Sequence, residues 1–175
     1  MRAATDYNDH VHVPLPLDAV TMNKAHSTHF TQHPDPRIGQ VLRGWGEGGG
    51  EIEHDVRIGD LRIRNVQTNI RDWSGGTEYL GNSIFVFETG QMCVAHLGHL
   101  HHELTPEHLR RLGQIDVLLV PVDGSYTLDL TAAESGQAGN TVHAAYTATL
   151  DATGPVLNIV SPAVGAVLIA RLKEI

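Results

Sequence analysis

Two apolar runs, Ser83–Glu88 and Met92–Leu97, flank Thr89-Gly90, and the second runs straight into His96-Leu97-Gly98-His99-Leu100-His101-His102. Two short apolar runs on either side of a Gly-containing break predict a β-hairpin. A hairpin of this kind must bury one face, so the segment commits the chain to a sheet-based core. Four histidines within seven residues then sit where the second strand stops. Gly98 admits backbone angles that other residues resist, which lets His96 and His99 turn into one pocket. Neutral imidazole is the commonest ligand for zinc and also suits iron and nickel. The competing reading is a polar loop whose histidines pack or cap locally. His101 is the member least expected to serve as a ligand.

The remaining chain supports a sheet with little helix. Met1 to Leu17 reads as irregular, because Pro14 and Pro16 prevent a helix. Asp18 to Met22 is a short β-like run, and Pro34 and Pro36 keep the next stretch irregular. The glycine-rich Trp45 to Gly50 lacks the Lys-Ser/Thr ending of a phosphate loop and is read as a plain loop. Ile52–Ile58 and Leu61–Val66, joined by Gly59-Asp60, predict another hairpin, with Val56, Ile58, Leu61 and Ile63 inward and Arg57, Arg62 and Arg64 outward. Arg71 to Gly81 reads as a loop. Thr105-Pro106-Glu107 has the N-cap, proline and acidic first turn of a helix ending near Leu112. Ile115 to Val122 is nearly all apolar, as expected of a strand buried on both faces. Past Asp129 charge almost vanishes, and strands are expected over 141–150, 156–160 and 164–172.

Histidine is the unusual residue: there are 12, as many as Lys and Arg together, and the formal net charge is -8. With no basic run to displace counterions, a nucleic-acid partner is not expected, nor is anchoring to an anionic membrane. The single cysteine, Cys93, permits no internal disulfide, and Met1 to Tyr7 carries no apolar signal segment, so a cytoplasmic location is expected. The length suggests one domain over 1–175.

A second constellation precedes the cluster. Lys24-Ala25-His26-Ser27-Thr28-His29 follows a short strand, the place where α/β folds build ligand sites. His26 and His29 could converge on metal, or they could be solvated loop residues. Asp116 and Asp123 flank the apolar run and could orient an imidazole or bind metal, although Asp116 equally caps a strand and Asp123-Gly124 equally makes a turn. Trp73 and Tyr126 read as pocket lining or as packing. Cys93 reads as a buried, inert thiol.

The stretches Asn82–Glu88, Val94–Glu107 and Ile115–Leu128 together resemble the metallo-β-lactamase superfamily, most closely its ascorbate-6-phosphate-lactonase-like branch. In that branch a strand ends in Ala-His-Leu-Gly-Asp, a helix follows, and a buried strand ends in Pro-Val-Gly-Gly. The resemblance spans 17–130 and leaves 131–175 as a divergent tail. It implies an α/β fold, the metallo-β-lactamase αββα sandwich, here partial. It also implies a hydrolase whose metal-bound hydroxide cleaves an ester-, lactone- or phosphoester-like bond of a small molecule. Zinc, as one or two ions, is the implied metal, with manganese, iron or nickel as alternatives. The implied ligands are His26, His29, His96 and His99, with Lys24, Thr28, His102 and Asp123 in supporting or pocket positions.

This chain departs from the pattern in places. Against the superfamily's His-x-His-x-Asp-His motif, Lys24 replaces the first histidine and Thr28 the aspartate. His99 stands where a metal-bridging aspartate is usual, and His102 matches a histidine common in the branch. These changes lower the anionic character of the site, so one metal, or two weakly held, is expected. The late histidine of the family has no counterpart after Leu130, and the first strands of the family are missing before Leu17. A truncated or frame-shifted reading frame would explain both. A half-sandwich exposes core surface, so a second copy of the chain is an expected partner. The alternative function is a degenerate relative that binds metal without turnover.

Overall fold

The computed structural model describes residues 1–25, 27–90 and 92–120, together with the backbone of three later strands. The elements are β1 (Ala3–Ala4), β2 (Ala19–Met22), β3 (Gln40–Arg43), β4 (Asp55–Ile58), β5 (Leu61–Arg71), β6 (Thr77–Thr89), β7 (Met92–His96), α1 (Pro106–Leu112), β8 (Val117–Leu119), β9 (Tyr126–Glu134), β10 (Ala144–Ala148) and β11 (Ala166–Glu174). The chain divides into two compact units, one of Met1–Leu100 with Asp116–Pro121 and one of His101–Ile115 with Val122–Ile175.

The first unit holds two sheets. A parallel sheet runs β1-β2-β3, and a larger sheet runs β4-β5-β6-β7-β8, antiparallel except that β7 and β8 are parallel. They pack through Ala19 and Leu42 of the small sheet against Leu61, Ile63 and Phe85 of the large one. On the opposite face of β2, Val20 packs with Leu17 and Ile38 and meets Tyr7, Val13 and Leu15 of the amino-terminal segment. Alternation along β2 thus sends Ala19 into the sandwich and Val20 out to its covering loops.

Both hairpins lie where the alternation put them. Val56 and Ile58 pack on the core while Arg62 and Arg64 pair across the sheet with Asp55 and Glu88. The β5–β6 hairpin is longer than expected: Arg71 and Thr77–Gly81 are in strands, and the turn is confined to 72–76, where Asp72 Oδ1 accepts from the Ser74 and Gly76 amides. Trp73 stands at this tip and is 89% exposed. β3 was not read from the sequence, since Gln40-Val41-Leu42-Arg43 is short and gains its strand character from pairing with β2.

The expected doubly buried strand is corrected. Among the described residues of this run Val117–Leu119 is β, it lies at the end of the strand order beside β7, and Leu119 is 43% exposed. Periodicity shows that a run is apolar but not whether a neighbour covers it. Asp116 caps the strand start as read: its Oδ2 accepts from the Cys93 amide at 2.7 Å. Cys93 is partly buried, and burial, with Glu88 and Asp116 nearby, pushes its thiol pKa up.

In the second unit α1 has the expected N-cap. Thr105 accepts from the His108 amide while its own N–H donates to His108 Nδ1. β9 is the central strand of an antiparallel sheet, between β10 and β11. Strands were expected over 141–150 and 164–172, and β10 and β11 fall there; the expected strand over 156–160 lies outside the described residues. No helix among the described residues is long and apolar enough to cross a membrane.

Candidate metal centre

Two walls and an unexpected third strand of chain build the site. The first wall is the end of β7. His96 closes that strand, opposite Phe85 of β6 and beside Leu119 of β8. Leu97 is fully buried, and its N–H donates to the Leu119 carbonyl at 3.0 Å. The chain then turns at Gly98, whose φ is +60°. Buried Asn82 grips the turn from both sides: its Nδ2 donates to the Leu97 carbonyl and to Thr68 Oγ1, and its Oδ1 accepts from the His99 amide at 2.8 Å. Every hydrogen-bonding group of that amide is thereby used, so the positions of His96 and His99 are set by one side chain.

The second wall is the loop after β2. Asn23 N–H donates to the His29 carbonyl, which brings the two ends of this loop together, and Lys24 N–H donates to the Gly81 carbonyl of β6. Asn23 Oδ1 accepts from the Ser83 amide at 2.8 Å and ties this loop to the sheet that carries His96. The two walls meet, with the His29 and His99 rings edge to face at 4.8 Å between centroids.

Asp6 comes from the amino-terminal segment and was not found by sequence reasoning. Its Oδ2 lies 3.1 Å from His29 Nδ1 and 3.5 Å from His96 Nε2. Asp6 Oδ1 and His96 Nδ1 are buried without a hydrogen-bond partner among the described residues. Burial pushes His96 below the usual imidazole range and His29 adds to this, against the opposing pull of Asp6. A neutral imidazole is the form that ligates metal. No spacing pattern marks Asp6 in the sequence, because it reaches the site only through the path of an irregular segment.

The other expected residues are placed as follows. His26 and Asp123 lie outside the described residues. Lys24 is about half exposed and ion-paired with Glu78. Thr28 is exposed, and only its carbonyl is engaged here, by Asn8 Nδ2. His102, in the second unit, directs Nδ1 to the Glu103 carbonyl at 2.8 Å, and its ring lies near those of His101 and His108.

The donor set suits zinc, which takes imidazole nitrogen and carboxylate oxygen. Bonds of about 2.1 Å around a tetrahedral ion separate two donors by roughly 3.4 Å, close to the spacings at Asp6 Oδ2. Among the described residues no group of three or more His, Cys, Asp or Glu side chains is arranged so as to hold a metal ion. Asp6, His29, His96 and His99 are the candidate donors that these segments bring near one another, with His26 outside the described residues.

The family model described as a β-lactamase superfamily domain matches residues 1–137. The chain belongs to the β-lactamase superfamily. The match begins at residue 1, so the amino-terminal segment that delivers Asp6 is part of the superfamily domain. A crystal structure from Thermotoga maritima, of a candidate zinc-dependent hydrolase of the metallo-β-lactamase superfamily, is 30% identical with a TM-score of 0.40. The similarity covers 65% of this chain and 50% of that one, so this chain spans half the length of that solved relative. No curated protein matches. Superfamily membership and the paired sheets agree with the expected metallo-β-lactamase sandwich in partial form.

Proposed function

We propose that this β-lactamase superfamily chain is a metal-dependent hydrolase acting on an ester, lactone or phosphoester bond of a small molecule. The observation that carries the reading is the meeting of His29, His96 and His99 where β2 and β7 end, with the partly buried Asp6 carboxylate beside His29 and His96. His26, on the same loop as His29, completes the proposed ligand set. Zinc bound there supplies a hydroxide nucleophile near neutral pH, because the ion lowers the pKa of bound water to about 7. The chain's own residues supply the rest. Burial keeps His96 neutral and available, Asn82 holds the His96–His99 turn, and Glu78 draws Lys24 away from the cationic ligand set. One zinc or two are compatible with this donor set, with manganese, iron or nickel as competing ions. Among substrates, a phosphorylated sugar lactone of the ascorbate-6-phosphate class is the finer reading, supported by the Ala95-His96-Leu97-Gly98 run. The acidic net charge supports a cytoplasmic protein without nucleic-acid or membrane partners, and a second copy of the chain is its proposed macromolecular partner.

A metal-binding relative without turnover is the second reading, favoured by the exposed Thr28 in the motif's carboxylate position and by the open donor set. The test is elemental analysis of the purified protein, with assays of an aryl phosphodiester and a lactone, with and without chelator. About one metal per chain with chelator-sensitive turnover supports the hydrolase. Metal without turnover supports the second reading. No metal, or unchanged metal content in the His96→Ala/His99→Ala pair, sinks the site itself.

A further inference from the structure

We infer that Asp6 is a direct metal ligand, the carboxylate that the Lys24–His29 segment lacks; the inference rests on the metal-site reading above. Three independent features single it out. First, one oxygen of Asp6 is shared by two imidazoles from different walls, at 3.1 Å and 3.5 Å. Second, Asp6 Oδ1 is buried without a hydrogen-bond partner among the described residues. A carboxylate with a shielded, unpartnered oxygen is destabilised unless a cation stands against it. Third, the backbone of Asp6 is left-handed, with φ +48°. Aspartate tolerates that region better than most residues, yet the conformation survives only where the surroundings enforce it.

Three contacts hold this segment in place. Asn8 Nδ2 donates both to the Asp6 carbonyl and to the Thr28 carbonyl, each at 2.8 Å. Tyr7 N–H donates to the Thr21 carbonyl of β2, and His10 Nε2 meets Ser27 Oγ at 3.2 Å. Residues 6–10 are thus strapped across the 21–29 loop, and the strap ends by delivering one carboxylate between two histidines. Thr28, at the motif position where a carboxylate is absent, is bound by that same strap through its carbonyl.

The rival role is orientation: Asp6 accepts hydrogen bonds from the imidazoles and never meets the ion. Cobalt(II) and zinc titrations of the full chain separate the two. Asp6→Asn keeps the shape, the left-handed preference and an acceptor oxygen, so it spares orientation and removes the anionic ligand. Asp6→Cys replaces the ligand with a thiolate, and wild type, which already carries Cys93, provides its baseline. The inference expects two results. In Asp6→Asn, zinc affinity by chelator competition falls more than about 100-fold, beyond the 10- to 100-fold typical of an orienting partner. In Asp6→Cys, cobalt gains a thiolate-to-metal charge-transfer band in the near ultraviolet. A smaller loss of affinity with unchanged visible cobalt bands, or no charge-transfer band in a folded Asp6→Cys, overturns it while leaving the metal site standing. If Asp6→Asn fails to fold by circular dichroism, the cysteine variant decides alone. Wild type that binds neither metal fails the site reading itself, a separate outcome.

Discussion

Gly98 shows how much of the site depends on a missing side chain. Its φ of +60° alone disfavours any other residue, and a methyl group there would collide with Asn23 Nδ2 and stand 2.5 Å from Asn82 Oδ1. Both amides are buried and committed, Asn23 to the Ser83 amide and Asn82 to the His99 amide. Neither can retreat without leaving a buried polar group unpaired, at about 1–3 kcal/mol each. Gly98→Ala is therefore expected to destabilise the chain by roughly 2–4 kcal/mol, combining backbone strain with the collision. Urea denaturation checks this: the midpoint should fall with the slope unchanged. A shift below about 0.5 kcal/mol would show that the two asparagines do not clasp this turn.

At the scale of elements, the β4–β5–β6 ladder is tied on its outer face by charge. Arg62 bonds Asp55 Oδ2 at 2.7 Å and Glu88 Oε2 at 2.9 Å, and Arg64 bonds Glu88 Oε1 at 2.7 Å. Partial burial would raise the Glu88 pKa, but the hydrogen bonds and charge of Arg64 and then Arg62 outweigh it, and the group lies below its ordinary 4.5. A carboxylate whose pKa is depressed on folding binds fewer protons in the folded state than in the unfolded one. It contributes stability above pH 4.5 that is lost as pH falls through the lower folded value. Glu88→Gln should reduce stability at pH 7 by about 1 kcal/mol, a modest figure because the pair is partly solvated, and should flatten the acid limb. Thermal melts from pH 7 to pH 3 on both proteins measure this, and parallel curves would refute it.

For the whole molecule, the consequence of the site is linkage between metal and folding. Asp6, His29, and His96 with His99 come from three distant stretches of the first unit, so an unfolded chain cannot present them together. An ion bound only by the folded state stabilises it by RT ln(1 + [L]/Kd), about 2.7 kcal/mol at one hundred times Kd. Zinc at that excess should raise the melting temperature of wild type by several degrees and leave the His96→Ala/His99→Ala pair unmoved. Equal shifts in both would place the bound zinc elsewhere, for example on the half-buried His101, His102 and His108 of the second unit.

Local pattern made the hairpins, the capped helix and the histidine turn legible, because alternation, Thr105-Pro106 and Gly98 act over a few residues and need no knowledge of distant neighbours. The resemblance carried by Val94–Glu107 likewise named the superfamily to which the chain belongs. Three outcomes depended on tertiary structure. The Val117–Leu119 strand lies at a sheet edge although it reads as buried on both faces. Lys24 pairs with Glu78, fifty-four residues away in the chain. Asp6, in a segment read as irregular, stands between His29 and His96. Each was decided by which distant groups come to lie beside a residue, and that information is absent from the residue's own stretch of chain.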